Sequence, residues 1–421
     1  MITKKYIPQI RFKGFDEDWS NLQFFETLDS IIDFRGRTPK KIGLKWSKKG
    51  YVALSALNVK NGYIDFSLDN HFGDEELYQK WMGGKELVAG QVLFTTEAPM
   101  GNVAQVPDNQ GYILSQRTIA FNVKSSVIKN DFLAVLLRSP ATFNRLESMT
   151  SGGTAKGVSQ KSMAKLEVDI PSNLQEQTVI GNLFQNIDQT ISLQRRKYEQ
   201  TQTLKRSLLS KMFPKAGQTQ PEIRLQGFGG DWIEMELGDI GYTYTGLSGK
   251  TKADFSHGQA MYITYMNVYS NAIASTSMLE AVDKDDSQNL VKKGDVLFTT
   301  SSETPEEVGM SSVWQHDLHL VYLNSFCFGF RLKEKVDSNY LAFMLRSNKV
   351  RADISLLAQG ISRYNISKRA MMKIKVPLPS IKEQAAIGEF FEQVDETIVL
   401  QAKQLKILEN IKESLLAKMF V

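Results

Sequence analysis

The sequence predicts an α+β chain: two mixed α/β domains related by a pseudo-twofold and separated by two long antiparallel helices that form a coiled-coil spacer. Three observations carry that expectation. Four landmarks occur twice in the same order, two proline-free segments each carry one apolar stripe at helical spacing, and short β-branched runs fill the remainder. The boundaries fall at 1–174 for the first domain, 175–213 for the first helix, 214–381 for the second domain and 382–421 for the second helix.

The duplication is read from matched words. PQIRFKGFDEDW (8–19) returns as PEIRLQGFGGDW (221–232), and GQVLFTT (90–96) as GDVLFTT (294–300). DFLAVLLRS (131–139) returns as NYLAFMLRS (339–347), and EQTVIGNLFQNIDQTISLQ (176–194) as EQAAIGEFFEQVDETIVLQ (383–401). Both copies run on to an SLLxKMF word, at 207–213 and 414–420. A period of about 208 residues is a duplicated domain and not a short solenoid repeat. Residues 33–85 and 245–290 show no matching similarity, so one frame is expected to carry two unrelated faces.

Each final segment reads as a helix of about 38 residues, roughly 57 Å at 1.5 Å per residue. Ser172 and Ser380 stand near the expected N-caps, each just after a proline, and Pro214 stops the first helix. Apolar residues recur at spacings of three, four and seven. Ile180, Phe184, Ile187, Ile191 and Leu208 are expected to pack against Ile387, Phe391, Val394, Ile398 and Leu415 along the helix–helix seam. A helix longer than its domain with a single stripe needs a partner, and the other copy supplies it. A twofold frame presents one patch twice, so two copies of one partner are expected to bind.

The domains read as strands at 50–59, 112–123, 260–268 and 322–332, joined by polar loops. Net charge is only +5, but eight basic residues crowd 30–60 against the single acid Asp33. That block suits a polyanion, although on charge alone a solvated loop fits as well. The loops add side chains able to grip phosphates and base edges. The DNA-binding candidates of the first domain are Arg35, Arg37, Thr38, Lys40, Lys41, Lys45, Thr96, Glu97, Asn102, Gln116, Arg117, Lys156 and Lys161. Those of the second are Lys250, Lys252, Ser302, Asn324, Arg363, Tyr364 and Lys368.

Other chemistries find no footing. GLSGKT (246–251) lacks the earlier glycine of a phosphate-binding loop, since Tyr244 stands there. HDLH (316–319) has no third ligand for a metal. No nucleophile sits with a base and an orienting group, so no catalytic residue is expected and the chain is expected to hold no cofactor or metal. Cys327 is the only cysteine, which excludes internal disulfides, and no apolar run approaches a membrane span. The start MITKKYIPQIRF has no apolar signal core, and a cytoplasmic protein is expected.

Taken together, PSNLQEQTVIG and PSIKEQAAIG, the paired GQVLFTT and GDVLFTT, and the GRTP loop (36–39) make the chain resemble the specificity subunit of a type I restriction–modification enzyme over nearly its whole length. The resemblance implies that each domain is a target-recognition domain reading half of a split double-stranded DNA target in a prokaryotic cytoplasm. It implies helices that set the gap and dock two modification (adenine methyltransferase) subunits, with restriction (translocase/endonuclease) subunits joining. Methyl donor and ATP then belong to those partners. The second domain departs from the pattern, its GLSGKTK loop lacking the GRTP proline and arginine. A stand-alone DNA-binding enzyme and a coiled-coil adaptor without nucleic acid are the alternatives from other classes.

Overall fold

A computed structural model of the chain describes residues 7–150 and 157–421. Contacts divide it into two compact units. Unit 1 runs to Arg195 and adds Lys403–Val421, while unit 2 is Arg196–Ala402. Each is a mixed α/β domain plus the start of its own long helix and the end of the other one.

In unit 1 the run Val92–Thr95 is buried at every position because it is an inner strand, flanked on both sides. The antiparallel sheet is ordered Leu28–Asp33, Thr118–Val123, Val92–Thr95, Val103–Gln105. A strand covered on both faces is apolar without alternation, which is why this word reads as an unbroken run. A second sheet orders Phe72–Gly73, Tyr51–Leu54 and Tyr112–Leu114, the last two parallel. Ser20–Gln23 pairs antiparallel with Glu167–Ile170 and so ties the opening of the domain to the approach of its helix.

Unit 2 repeats this plan. Its sheet runs Gly241–Thr245, Cys327–Leu332, Val296–Thr299, Ser311–Val313, and its second sheet runs Leu279–Val282, Phe255–Ile263, Val321–Leu323. Ile233–Glu236 pairs with Lys375–Leu378, and Ser301–Ser302 makes an additional ladder with Tyr364–Asn365. The parallel pairs correct one expectation from sequence. Val52 lies opposite Tyr112 as Met261 lies opposite Val321, which aligns SALNV (55–59) with TYMNV (264–268) inside segments expected to share nothing. Asn58 and Asn267 are both buried and hold the turn after the strand, Asn58 accepting from Ser55 N and Asn267 from Ser275 N. The lengths between landmarks differ, and that indel hid the match.

The long helices are Leu174–Lys211 and Ile381–Lys418, 38 residues each. Their shared opening words have a physical reading. In unit 1 Arg11 donates to both oxygens of buried Glu176, at 2.7 and 2.8 Å, and in unit 2 Arg224 does the same to buried Glu383 at the same distances. Gln177 accepts from Lys129 N and donates to the carbonyls of Val127 and Pro171; Gln384 accepts from Asp337 N and donates to that of Pro379. The Glu-Gln pair therefore locks each helix start onto its domain. A Cβ on Gly181 would meet Asp131 at 2.7 Å, and one on Gly388 would meet Asn339 at 2.8 Å, so only glycine lets the helix cross the short helix beneath it.

The SLLxKMF words close the cores, and they do so crosswise. In unit 1 Phe420 lies 6.0 Å from Trp19, 5.8 Å from Phe132 and 6.1 Å from Phe184 between ring centres. In unit 2 Phe213 takes the same place among Trp232 (6.3 Å), Tyr340 (5.8 Å) and Phe391 (5.8 Å). Removing either phenylalanine side chain would cost about 3–5 kcal/mol by transfer and cavity terms.

The seam residues divide their contacts. Ile180, Phe184 and Ile191 are buried in unit 1, with Ile187 and Leu415 half-buried beside them. Ile387 and Phe391 are buried in unit 2, where Leu208 packs at the edge of the core and Val394 and Ile398 are half-buried. The stripe thus serves the domain core as much as the opposite helix. Polar pairs also join the helices. In unit 1 Gln194 reaches Gln404 at 2.9 Å, Arg195 reaches Glu409 at 2.9 Å and Lys412 reaches Asp188 at 2.6 Å, while Lys205 pairs with Asp395 in unit 2. Within each unit the two helix segments run antiparallel: Asp188 meets Lys412 and Gln194 meets Gln404 in unit 1, while Lys205 meets Asp395 and Phe213 meets Phe391 in unit 2. Among the described residues no helix is long and apolar enough to cross a membrane.

Candidate nucleic-acid interface

In unit 1 the parallel strands Tyr51–Leu54 and Tyr112–Leu114 deliver the turns 55–59 and 115–117 to the same end of their sheet. Hydrogen bonds gather three more loops there. Thr96 N donates to Arg117 O (2.8 Å), Val158 N to Thr96 O (3.0 Å), and Glu97 bridges to Gly157. Asn102 Nδ2 donates to Val59 O at 2.9 Å, and Gln116 Nε2 donates to Arg37 O at 2.6 Å. Gln160 Nε2 reaches Asp33 Oδ2 at 2.7 Å. Residues far apart in sequence thus form one rim.

Its charges are paired but accessible. Arg117, with a positive φ of 64°, holds its guanidinium 3.0 Å from Glu97, and about half of each side chain is exposed. Arg35 lies 2.6 Å from Asp33. Burial of Asp33 works against its ionisation, but the hydrogen bonds and charge of Arg35, with Gln160, outweigh it and hold the carboxyl below the usual range. The exposed Arg117–Glu97 pair is worth little to stability and can exchange partners for a polyanion at small cost. Lys40, Lys41, Lys45 and Lys161 are exposed, Lys41 donating to Gly36 O.

Several candidates are committed elsewhere. Arg37 donates to the Trp81 carbonyl at the end of helix Glu75–Met82 and lies 4.5 Å over the Phe34 ring, so it anchors the loop from within. Thr38 caps the turn Pro39–Ile42 by accepting from Lys41 N. Thr96 is buried, its hydroxyl on Arg117 O. Lys156 lies outside the described residues.

Unit 2 keeps the frame with other contents. Thr300 N donates to Phe326 O and Ile366 N to Thr300 O, so Phe326 stands where unit 1 has Arg117 and Ser301 where it has Glu97. Asn324, proposed as a base reader from sequence, is buried: it donates to Ile263 O and accepts from Phe326 N, shaping the turn. Ser302 is buried with its hydroxyl on Glu307. Lys250 pairs with Asp285 at 2.8 Å and is largely covered. Lys252 and Arg363 are exposed, Tyr364 is half-buried on the added ladder, and Lys368 lies 5.8 Å over the Phe328 ring, where burial lowers its ammonium pKa. Phe326, Met266 and Ile361 were not singled out from sequence, because YLNSFCFGF reads as one strand. Aligning SQRT (115–118) with NSFC (324–327) marks the turn and would have found Phe326.

The family described as type I restriction modification DNA specificity domain matches the chain twice, over residues 20–203 and 229–410. The type I restriction enzyme MjaVIII specificity subunit of Methanocaldococcus jannaschii is 22% identical over 313 residues, 72% of each chain. The StySPI specificity subunit of Salmonella potsdam is 26% identical over 198 residues, 44% of this chain and 42% of its own. The solved S subunit of a type I restriction–modification system from M. genitalium shares the fold, with a TM-score of 0.61, 15% identity and 99% of each chain covered.

Proposed function

Since the chain belongs to the type I restriction–modification DNA specificity family, whose domain it carries twice, we propose that it reads a two-part double-stranded DNA target, one half-site at the rim of each unit. The observation that carries this reading is the pair of matched rims, one hydrogen-bonded frame with Arg117 and Glu97 in unit 1 and Phe326 and Ser301 in unit 2. A frame kept constant while its outward side chains change is suited to two different sequences.

The long helices offer the docking surface for modification subunits. Leu193 and Ile411 are exposed in unit 1, and their repeat counterparts Leu400 and Leu204 are exposed in unit 2. Exposed apolar side chains at matched positions suit two copies of one methyltransferase partner. Restriction subunits complete the assembly, and methyl donor and ATP are bound by the partners, this chain supplying sequence reading without a reacting group. Arg35, Lys40, Lys41, Lys45, Lys161, Lys252 and Arg363 would hold phosphates, and Arg117, Glu97 and Gln116 lie where base edges would be met.

The test is a genome-wide map of adenine methylation with the gene present and deleted. Loss of a single two-part motif on deletion is the expected result. A map that does not change in an otherwise active system would refute the assignment. Arg117→Ala should then relax one position in one half-site only.

A further inference from the structure

The two rims differ in kind as well as in sequence. In unit 1 the exposed groups at the turn are ionic, Arg117 against Glu97 with Arg35 nearby. In unit 2 the same place is apolar. Phe326 at the turn is 56% exposed, Met266 on the turn after the parallel strand 53%, and Ile361 95%. Ile361 stands at the tip of a hairpin closed by reciprocal bonds between Gln359 and Asn365, whose next rung is the ladder of Tyr364 and Ser302. Tyr265, beside Met266, donates to Ser301 O and so binds that turn to the same ladder. The three apolar side chains therefore belong to connected loops of one rim.

Four polar side chains of this rim are turned to partners inside the unit: Asn324, Ser302 and, through their hydroxyls, Tyr265 and Tyr269. Exposed polar residues border the patch, namely Glu303, Thr304 and Ser325, with Ser362 and Asn365 on the hairpin of Ile361. Arg363, on the same hairpin as Ile361, has no ion pair among the described residues, and Lys368 follows it, so cations flank the apolar patch.

We propose that unit 2 reads its half-site chiefly through thymine methyl groups in the major groove, while unit 1 reads hydrogen-bonding edges. This rests on the function proposed above. The physical reason is that the thymine C5-methyl is the one apolar group that base edges present in that groove. Phe326, Met266 and Ile361 can bury such methyls, whereas against a G·C pair they would leave donors and acceptors without partners. The flanking cations fix the duplex by its phosphates. Met266 has a counterpart in Leu57, also exposed, so the contrast between units lies at the positions of Phe326 and Ser301.

The experiment uses the full chain assembled with its modification subunits and the target found by methylation mapping. Duplexes carry deoxyuridine for every thymine of one half-site, which removes the methyl and keeps the pairing. Binding should weaken about fourfold for each contacted methyl, equivalent to about 0.8 kcal/mol, in one half-site and less than twofold in the other. Phe326→Ala should shrink the deoxyuridine effect by about fourfold, the share of one contacted methyl, and Arg117→Ala should leave it intact. Equal sensitivity of both half-sites, a sensitive half-site whose effect survives both Phe326→Ala and Ile361→Ser, or target halves that both lack thymine would overturn the proposal. If Phe326→Ala instead prevents assembly with the modification subunits, the patch belongs to a protein partner and the proposal also falls. Failure of the unmodified duplex to bind specifically would count against the function itself, a separate result.

Discussion

The two repeats contain a natural comparison between an ion pair and a neutral pair. In unit 2 Arg331 donates to both oxygens of Asp295, at 2.9 and 2.6 Å, and Asp295 is almost wholly buried beneath it. Tyr244 and the backbone N of Lys292 also donate to that carboxylate. At the corresponding strand positions of unit 1, Gln91 donates to Asn122 at 2.6 Å. Arg331→Asn alone would leave a buried carboxylate without its cation, which costs about 3–5 kcal/mol. In a unit of this size that is a fall in midpoint of roughly 6–20 °C. Changing both residues, Asp295→Gln with Arg331→Asn, installs the neutral pair that unit 1 already uses and should recover at least half of the loss. Thermal unfolding of the wild type, both single variants and the double variant forms the cycle. If the double variant is as unstable as the sum of the singles, the two positions are uncoupled and the reasoning is refuted.

Other outcomes follow from the same structure. Leu193→Asp and Leu400→Asp lie on exposed helix positions and should leave folding within about 0.5 kcal/mol, yet each should remove one modification subunit, read as mass by native mass spectrometry. Burial pushes the Cys327 thiol up to about 12, and because the thiolate is the reactive form, iodoacetamide at pH 8 should label it only after denaturation. Seven residues inserted at matched positions of both long helices add about 10 Å to each, close to three base-pair steps. The gap in the methylated motif should widen with both halves preserved; an unchanged gap would mean the helices do not set it.

Much of the fold was legible because it is written twice. The unbroken VLFT runs marked inner strands, and the stripe from Ile180 to Leu208 marked a helix whose bounds follow from Pro171 and Pro214. The division of that stripe between domain and opposite helix was not legible, since periodicity reports which face is buried and not what covers it. Glu176 and Arg11 were visible as words, but their bond joins residues distant in the chain and appears only when the strands pair. Site residues were harder. Asn324 and Ser302 have the chemistry of base readers, yet their burial follows from the turn and ladder they build. Charge drew attention to Arg37, whereas the exposed Phe326 was concealed by neighbours that are strand-like on both sides.

The crosswise placement of Phe213 and Phe420 bears on the order in which the chain can fold. The core around Trp19, Phe132 and Phe184 has every component of its own domain early in synthesis, but Leu416, Met419 and Phe420 emerge only after all of unit 2. At about 5–20 residues per second the ribosome needs on the order of ten to forty seconds to make that stretch. Throughout this interval the aromatic cleft of unit 1 stands open to water and to any chaperone that binds apolar surface. Unit 2 meets no such delay, since Phe213 precedes the domain it completes. Two units that finish with the same architecture thus reach it on different schedules, and slowed translation should expose the first far more than the second.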